Sequence, residues 1–476
     1  MAAHGELMGG TDGHRGRYAE GDEPGQINGP TFALLTYALL QEQLDRGVEG
    51  PVVIGQDTRP SGETLRRAAI SAAVELGCEV WDCGIAPTPM LQRIAQERNA
   101  MAAIAITASH NAWQDNGHKG MPGSRKLSQS ELRAVSDRYW SHVDSGLVIP
   151  DYTNSNLVGN RSAELTEWYE EQVLASIREE FGGDTPLDGK RFVVDGAFGA
   201  AKSITPRILR ELGATVDEFS CDDSGLINEG CGAAKLKGLR EFLASRPDIT
   251  NDPNFVGAVA NDGDGDRVMS IGVVPGENGV ELVEVNGNHA MWAQAQGEPG
   301  IVGTEYTNSG LVLALRGTGI GFEYCKNGDT YVTEALLKKQ QAGLPWTRGG
   351  EFTGHHIDTT WLSSGDGVRM AAWLAAHAVA TGQTFGGMHK SLALWSEDKT
   401  EVHLQPGQNG NEIMQTPAVQ EMIERLKEQL GDAGRIVVRA SGTEPILRGW
   451  VETKDIHKAK KVSNHIASVL QLAVDS

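Results

Sequence analysis

Short apolar runs alternate with longer amphipathic stretches along most of the chain. Val52-Val-Ile54 is typical of a buried strand, and the stretch after it has apolar residues about one helical turn apart, at Leu65, Ala69, Ala72 and Leu76. Ser61 can cap this helix, Gly77 can end it, and Glu79-Val-Trp81 resumes a strand. The order of strand, helix and strand predicts an α/β fold whose mixed sheets are largely parallel.

A helix that ends in glycine before a strand occurs three times. The two clearest copies are Glu75-Leu-Gly-Cys-Glu-Val80 and Glu211-Leu-Gly-Ala-Thr-Val216, and Gly317 to Tyr324 is a looser third. This recurrence predicts three related α/β domains in series.

The C-terminal segment has a different pattern. It begins with a hydrophilic linker around Gln405-Pro-Gly-Gln-Asn-Gly410 and continues with the strands Arg435–Arg439 and Ile446–Val451 before a final helix. This order predicts a smaller C-terminal α+β domain. From the polar or glycine-rich joints of the chain, we expect domains at residues 1–155, 156–272, 273–386 and 387–476.

Length and charge narrow the possible partners. A chain of 476 residues is too long for a single core. It carries 42 basic and 63 acidic residues, a formal charge of −21, without any segment dense in Lys or Arg. We therefore expect no nucleic-acid partner. A small anionic substrate stays possible, because local basic residues and a bound cation can govern the potential inside a cleft.

Cysteine usage and hydropathy point to a compartment. The five cysteines are scattered and form no Cys-x-x-Cys pair, which suits a reducing cytoplasm and argues against a disulfide framework or a zinc site. The first ten residues lack the pattern of a signal peptide, and no apolar run reaches transmembrane length. The apolar stretch from Phe32 to Leu40 is better explained as a helix. We expect a cytoplasmic protein without a membrane partner.

Three carboxylates follow an apolar run at alternate positions. Asp262, Asp264 and Asp266 lie directly after residues 256–260. Alternate residues of an extended segment point the same way, so three hard oxygen ligands can converge on one Mg²⁺ ion. An EF-hand is excluded, because Arg267 replaces its required glycine and Val273 its required glutamate. The Asp-x-Asp motif of nucleotide-sugar glycosyltransferases stays open on these residues alone.

A serine ends another predicted strand. Ser109 follows the run Ala103-Ile-Ala-Ile-Thr107, with His110 beside it and Lys119 close behind. The carboxyl ends of parallel strands are where such sheets bind ligands, and these side chains can manage protons or counter a phosphate. The alternative is that Ser109 only caps the next helix.

Three glycine-rich segments offer groups that bind phosphates or sugars. Hydroxyls, backbone N–H groups and two arginines surround the loop from Arg439 to Arg448, as a phosphate dianion requires, although an ordinary hairpin has the same pattern. Glu351, with its neighbours Thr353 and His355, suits sugar hydroxyls. Arg15 lies in the turn from Gly10 to Gly16. The last two segments are also explained by turns alone.

Together and in this order, the motifs resemble those of the α-D-phosphohexomutase superfamily, most of all its phosphoglucosamine mutase branch. The resemblance covers nearly the whole chain. The matching segments are 10–16, 55–62, 87–89, 107–111, 228–232, 262–267, 328–332, 351–355 and 439–448.

The resemblance implies a reaction and its parts. Ser109 would carry a phosphoryl group, and Mg²⁺ would be held by Asp262, Asp264, Asp266 and one phosphoserine oxygen. Lys119 would act as acid or base, while His110 and Arg15 would polarise the phosphoryl group. The expected substrate-binding residues are Arg267, Glu351, Thr353, His355, Arg439, Ser441, Gly442, Thr443 and Arg448.

The resemblance also implies a substrate and partners. It predicts interconversion of glucosamine 6-phosphate and glucosamine 1-phosphate through a bisphosphate sugar, as a step of amino sugar biosynthesis. Glucose or glucosamine 1,6-bisphosphate would be the activator, and the protein would form a homodimer. The fold implied is three related α/β domains and a smaller fourth domain, which moves about a hinge.

Several positions depart from the family pattern. Ala112 replaces a usual proline, Gly120 an aromatic or apolar residue, and His14 an isoleucine, while Thr353 replaces serine and Thr330 replaces arginine. These departures leave open a phosphomannomutase or phosphoglucomutase. They also leave open a phosphosugar-binding protein without turnover.

Overall fold

Four β-sheets organise the part of the chain that the structure describes. The computed structural model describes residues 13–152, 154–277, 279–441 and 445–476. Three of these sheets mix parallel and antiparallel strands, and the fourth is antiparallel. The fold class predicted from the sequence is therefore confirmed.

The first sheet has six strands, and its parallel strands bring two functional loops to one edge. The strands are β1 His14–Arg17, β2 Val52–Gln56, β3 Val80–Ile85, β4 Ala102–Ile106, β5 Asp115–Pro122 and β6 Val158–Asn160. Its helices are α1 Gly29–Asp45, α2 Gly62–Glu75, α3 Thr88–Glu97 and α4 Gln129–Asp144. Helix α5 Ser162–Phe181 follows β6 and packs on α3, but it begins the next part of the chain. The strand order is β1-β5-β4-β2-β3-β6. Because β2 and β4 are parallel, the loops that follow them lie side by side.

Capping side chains explain where some of these helices begin. Asn28 accepts from the Thr31 backbone N–H at the start of α1, and Ser128 forms a capping box with Glu131 at the start of α4. Ser61 precedes α2 but makes no capping hydrogen bond, contrary to the prediction. Its hydroxyl instead accepts from Asn116 Nδ2 at 2.9 Å.

The second sheet has the order β11-β10-β9-β7-β8. Its strands are β7 Arg191–Asp195, β8 Thr215–Phe219, β9 Phe255–Asn261, β10 Val268–Gly276 and β11 Gly279–Val285. Its helices are α6 Ile204–Glu211, α7 Lys237–Ala244 and α8 Pro247–Thr250. Strands β7 and β9 are parallel, so the segments after Asp195 and Asn261 emerge at the same edge.

The third sheet has the order β13-β12-β14-β15-β16. Its strands are β12 Gly300–Thr304, β13 Gly321–Cys325, β14 Arg348–Gly350, β15 His356–Asp358 and β16 Leu362–Gly365. The helices of this part are α9 Gly287–Gln294, α10 Ser309–Gly317, α11 Asp329–Gln341, α12 Gly367–Ala380 and α13 Phe385–Ser391. The short turn between β14 and β15 carries residues 351–355.

The fourth sheet has the order β17-β19-β18 and a core of its own. Its strands are β17 Ser396–His403, β18 Gly434–Ala440 and β19 Ile446–Thr453. Its helices are α14 Gly410–Met414, α15 Pro417–Leu430 and α16 Ile456–Asp475, with a 3₁₀ turn at Gly431–Ala433.

The predicted domain limits do not follow the sheets at every joint. Strand β6 pairs with β3 beyond residue 155, the division at 272 falls inside β10, and the division at 386 falls inside α13. Gly276 of β10 pairs with Gly279 of β11, so the segment expected as a joint lies within one hairpin of the second sheet. We propose instead that the first three domains end after β6, β11 and α13.

The α/β domains share one apolar core. Helix α12 packs on α5, α6 and β9, and α13 packs on β10 and β11, so two helices that follow the third sheet cover the second. Phe385 of α13 is fully buried against Phe192, with ring centroids 6.1 Å apart. Tyr169 of α5 donates to Asp366 Oδ1 at 2.8 Å. The loops of these three domains are therefore held in a fixed relation.

None of the helices in the described ranges combines the length and apolar character needed to cross a membrane.

We expect Phe385→Ala to destabilise the shared core. Removing a fully buried ring costs about 3–5 kcal/mol, because the cavity between α13 and the second sheet cannot close completely. The thermal unfolding midpoint measures the loss. Leu472→Ala is the control, since that side chain is 68% exposed and its loss should change stability by less than about 0.5 kcal/mol. Equal midpoints for wild type and Phe385→Ala would contradict this packing.

Candidate active site

Three aspartates converge in the turn between β9 and β10. The antiparallel pair Asn261 and Val268 closes this turn, and Gly265 takes a positive φ of 73° within it. One carboxylate oxygen from each of Asp262, Asp264 and Asp266 lies within 4.8 Å of the others. All three side chains are buried, which is unusual for acidic groups without a cation.

The charges of this cluster fit a divalent cation. Burial and the neighbouring carboxylates raise the pKa of Asp262 well above its ordinary value. Burial also opposes the charge of Asp266, but Lys119 and His355 hold its pKa well below the ordinary value. Asp264 Oδ1 is buried without a hydrogen-bond partner among the described residues. Such crowded, dry oxygen ligands suit a hard cation of the Mg²⁺ class.

Ser109 lies against this cluster in a rare backbone conformation. Its φ is 53°, in the left-handed region, and its backbone N–H donates to Thr107 Oγ1 at 2.9 Å. Its hydroxyl donates to Asp262 Oδ2 at 2.9 Å. A serine that is 2% exposed and held this way has one fixed position relative to the carboxylates.

Arg59 binds backbone carbonyl oxygens of the segment from Thr107 to Asp115, here called the serine loop. Its guanidinium donates to Asp57 Oδ2 at 2.9 Å and reaches four backbone oxygens of the loop. The bonds to Ser109 O, Asn111 O and Asp115 O measure 2.8, 3.0 and 2.9 Å. Residues 55–62 match a family segment, but their sequence pattern predicted no role for Arg59.

Two residues connect the first and second domains at these loops, one binding the serine loop and the other the aspartate loop. Asn228 Nδ2 donates to Ser109 O at 2.8 Å and to Asn111 O at 3.1 Å. Thr88 Oγ1 donates to Asp264 Oδ2 at 2.7 Å. A Cβ atom on Gly263 would lie 2.8 Å from Ser109 O, so only glycine fits where the loops touch. Thr88 and Asn228 lie in recognised segments, but the sequence did not show what they contact.

Lys119 lies on β5 with its ammonium in the aspartate cluster. The Nζ atom donates to Asp264 Oδ2 at 2.6 Å and to Asp266 Oδ2 at 3.1 Å. The side chain is 5% exposed. The predicted acid or base is therefore next to the predicted metal ligands, where its ammonium acts as a donor.

His110 and Arg15 flank the same loops. His110 Nδ1 lies 3.4 Å from Ser109 Oγ. The charge of Arg267, together with burial and the charge of Arg15, lowers the pKa of His110 to about 3. His110 is thus neutral at physiological pH and can polarise a phosphoryl group only as a hydrogen-bond donor. Arg15 pairs with Gly117 across β1 and β5.

His355 connects two loops, the sugar-type loop of residues 351–355 and the aspartate loop of residues 262–267. Its Nδ1 lies 2.6 Å from Glu351 Oε2 and its Nε2 lies 3.1 Å from Asp266 Oδ1. Burial opposes protonation, but these carboxylates raise the pKa of His355 to about 10. Both ring nitrogens then donate, so the 3.2 Å approach of Arg267 Nε to Nε2 is a contact between two donors.

The sugar-type loop is positioned from two sides. Glu351 Oε1 accepts from the Gly328 backbone N–H at 2.9 Å, which ties the loop to the start of α11. Thr353 is half-buried at the turn between β14 and β15. Lys126 of the first domain donates to Asp329 Oδ1 of α11 at 2.8 Å. First-domain and third-domain residues thus meet beside Glu351.

The predicted phosphate-binding segment, residues 439–448 and here called the phosphate-type loop, links β18 and β19 of the fourth domain. Arg439 and Arg448 are paired across β18 and β19 at the base of this loop. Arg439 Nε donates to Tyr306 Oη at 2.7 Å, and Arg448 Nε donates to Glu401 Oε1 at 3.1 Å. The Ser441 backbone N–H donates to Ile446 O at 2.9 Å. The predicted ligands Gly442 and Thr443 lie outside the described residues.

Family models match three parts of the chain. Phosphoglucomutase/phosphomannomutase alpha/beta/alpha domain I matches residues 6–142, and domain III matches residues 285–393. The C-terminal domain of the same family matches residues 403–469.

Relatives match over nearly the full length. Phosphoglucosamine mutase of Delftia acidovorans is 34% identical over 464 residues, covering 97% of each chain. Phosphoglucosamine mutase of Pseudoalteromonas translucida is 33% identical over 473 residues, also covering 97% of each chain.

Solved structures share the fold. A phosphoglucomutase/phosphomannomutase family protein from Burkholderia thailandensis superimposes with a TM-score of 0.75 at 17% identity, covering 98% of each chain. N-acetylphosphoglucosamine mutase of Aspergillus fumigatus, solved with GlcNAc-6P and magnesium, has a TM-score of 0.65 at 14% identity and covers 98% of this chain and 96% of its own. With its fold, its aspartate loop and its full-length relatives in agreement, this chain belongs to the α-D-phosphohexomutase family of isomerases.

Proposed function

We propose that this phosphosugar mutase interconverts glucosamine 6-phosphate and glucosamine 1-phosphate through a phosphoserine at Ser109 and a bisphosphate sugar. The names of the relatives at 31–34% identity support the choice of sugar. In the forward step, the hydroxyl of the substrate would attack the phosphoserine phosphorus. The bond from phosphorus to Ser109 Oγ breaks, and the bisphosphate sugar forms. In the second step Ser109 Oγ would attack the other phosphate of that sugar, whose bond to the sugar oxygen breaks, so that the phosphoserine is regenerated and the isomeric monophosphate is released.

The observation that carries this proposal is the position of the Ser109 hydroxyl. It lies 2.9 Å from Asp262 Oδ2, at the edge of three buried carboxylates whose charge calls for a cation. A serine that only caps a helix has no reason to be buried against acidic groups. Arg59 and Asn228 hold its backbone from two domains, which supplies the preorganisation that phosphoryl transfer depends on.

The aspartate cluster would hold the metal. Asp262, Asp264 and Asp266 are the protein ligands, and a phosphoserine oxygen would complete the set. When bound, Mg²⁺ neutralises charge on the transferring phosphoryl group.

Protons have to move with the phosphoryl group. The attacking sugar hydroxyl loses a proton, and the Ser109 oxygen gains one when it leaves phosphorus. We assign both transfers to Lys119, because its ammonium lies in the same buried cluster, 2.6 Å from Asp264 Oδ2. The ammonium would supply the proton to the Ser109 oxygen, and the neutral amine would accept the proton of the sugar hydroxyl, which restores the ammonium. Neutral His110, 3.4 Å from Ser109 Oγ, serves as a hydrogen-bonding partner.

Substrate recognition would involve two further loops. Glu351 and Thr353 would bind ring hydroxyls, and Arg439, Ser441, Gly442, Thr443 and Arg448 the second phosphate. Arg15 and Arg267 would attract the phosphoryl groups. Both ring nitrogens of His355 bond to protein carboxylates, so we assign it the role of holding Glu351 in place.

A phosphomannomutase or phosphoglucomutase is the second candidate. The matching family models carry both names, and Thr330 stands at the start of α11, two residues after Gly328, whose backbone N–H binds Glu351. A change of residue here alters contacts near the ring hydroxyls and can change the preferred sugar.

We expect Ser109→Ala to abolish mutase turnover and phosphorylation. Intact mass before and after incubation with glucose 1,6-bisphosphate and Mg²⁺ would show one phosphoryl group on the wild type, lost again on adding glucosamine 6-phosphate. Ser468→Ala removes an exposed serine and should retain the adduct. Full turnover by Ser109→Ala would refute the covalent mechanism. Absence of any adduct and of turnover from the wild type would favour a binding protein.

Arg59→Lys tests the preorganised serine loop. Lysine keeps the charge opposite Asp57 but cannot reach four carbonyl oxygens, so we expect kcat to fall by about 10²-fold. Steady-state kinetics measures the fall. Arg67→Lys, at a 48% exposed side chain, should leave kcat unchanged. Unchanged kcat for Arg59→Lys would show that the loop keeps its shape without the guanidinium.

The preferred sugar follows from kcat/KM on the 6-phosphates of glucosamine, glucose and mannose. We expect glucosamine 6-phosphate to give the highest value. A higher value for glucose or mannose would replace the first choice of sugar and leave the mutase reaction in place.

A further inference from the structure

We propose that Asp195, whose carboxylate makes no hydrogen bond to the serine loop or the aspartate loop among the described residues, is a positioning residue that sets the distance between these loops. This inference rests on the proposed phosphoserine reaction. Asp195 ends β7, directly beside β9, and its side chain is fully buried. Its carboxylate accepts from two backbone N–H groups, Ala197 N at 2.9 Å through Oδ1 and Gly232 N at 2.7 Å through Oδ2.

The first of these hydrogen bonds orders the loop after β7. Ala197 and Phe198 have φ values of 55° and 48°, two consecutive left-handed residues with side chains. Ala200 N then donates to Gly263 O at 2.8 Å, inside the aspartate loop. Phe198 O accepts from Thr58 Oγ1, next to Arg59 in the first domain. The strained turn therefore holds both the aspartate loop and a segment of the first domain.

The second hydrogen bond orders the segment that carries Asn228. Gly232 follows Asn228 by four residues, and Asn228 N donates to Ala197 O at 2.9 Å. Asn228 Nδ2 in turn donates to Ser109 O at 2.8 Å. One residue beyond Gly232, Ala233 N donates to Asn261 O at 2.9 Å, at the base of the aspartate loop. Asp195 thus joins two segments, and each of them contacts the reacting region.

The ionisation state of Asp195 matters for this arrangement. Both oxygens are strong hydrogen-bond acceptors only when the carboxylate is charged, since a protonated oxygen carries its own hydrogen and accepts weakly. Burial raises the pKa of Asp195 to about 7, although the two backbone donors oppose the rise. Lowering the pH through 7 would protonate Asp195 and therefore weaken one of the two hydrogen bonds.

No basic side chain among the described residues contributes to that pKa. The thiols of Cys221 and Cys231 face Asp195 from the segments beyond β8 and before Gly232, and burial raises the pKa of each to about 12. They stay neutral near pH 7. Lys202, beside Gly196, is engaged by Asp223 and by Asp222 O.

A positioning role and a purely stabilising role predict different results for Asp195→Asn. The first predicts a lower kcat without a lower melting temperature, and the second predicts a lower melting temperature. Because the folded-state pKa is raised from 3.8 to about 7, the folded protein binds this proton more tightly than the unfolded chain does. Stability therefore falls as pH rises through this range, and above pH 7 the charged carboxylate destabilises the fold. Asparagine removes that charge but also takes the acceptor from one backbone N–H. A rise in pKa from 3.8 to about 7 outweighs one lost hydrogen bond, so Asp195→Asn should not lower the melting temperature at pH 8.

The experiment compares kcat and melting temperature of wild type and Asp195→Asn from pH 6 to pH 8. Asparagine also replaces one acceptor with a donor, so the variant resembles the protonated wild type at every pH. We expect kcat of the variant to be about tenfold lower than wild type at pH 8, and the two values to converge toward pH 6. Substrate phosphate titrates equally in both, and its effect cancels in the ratio.

Asp358→Asn is the matched control. Asp358 is a buried carboxylate on β15 that accepts from Arg369 Nη1 at 3.2 Å and from the Thr360 backbone N–H at 3.1 Å. Its replacement should lower the melting temperature and leave kcat and its pH dependence unchanged.

Two results for Asp195→Asn would overturn the inference, and one result for the wild type would overturn the proposed function. If Asp195→Asn keeps wild-type kcat at pH 8, or loses kcat by a pH-independent factor together with melting temperature, Asp195 has no positioning role. If wild type carries no phosphoryl group on Ser109 after incubation with glucose 1,6-bisphosphate, the proposed reaction fails instead. A pH-dependent ratio with an unchanged or higher melting temperature supports the positioning role.

Discussion

Concentration of negative charge in a dry turn is the constraint on which the rest of the structure depends. Three aspartates within 4.8 Å of one another repel, and burial increases that repulsion. The surrounding side chains compensate in specific ways. Lys119 brings an ammonium, Thr88 and Ser109 bring hydroxyl protons, and His355 remains protonated between two acids. The same unbalanced charge that makes the turn costly to fold makes it suitable for a divalent cation.

Backbone atoms, more than side chains, keep the reacting groups in register. Arg59 and Asn228 both bind Ser109 through its carbonyl oxygen, and Ala200 N binds Gly263 O in the aspartate loop. Such bonds do not depend on the identity of the residue that supplies the carbonyl. They therefore fix the loop without using the Ser109 hydroxyl, which is directed instead to Asp262 in the aspartate cluster.

The sequence predicted the parts of this architecture that depend on local patterns. Alternating aspartates after a strand predicted the convergence of three carboxylates, and the helix-glycine-strand repeat predicted three related α/β domains. Arg59 was missed because its partners lie about fifty residues away, and local spacing does not encode a reach across a loop. Ser61 was assigned as a cap from its position, although its hydroxyl binds Asn116 instead. The pairing of α12 and α13 with the second sheet was also missed, because an amphipathic helix shows that it covers a sheet but not which one.

The packing of α12 and α13 on the second sheet has a consequence for synthesis on the ribosome. The second sheet ends at Val285, yet the helix that seals one of its faces begins a hundred residues later, at Phe385. Chains that are still being translated through the third domain must keep apolar surface around Phe192 uncovered. The second domain therefore cannot complete its fold until α13 has been synthesised. Nascent chains that end within the third domain expose apolar surface to which chaperones can bind.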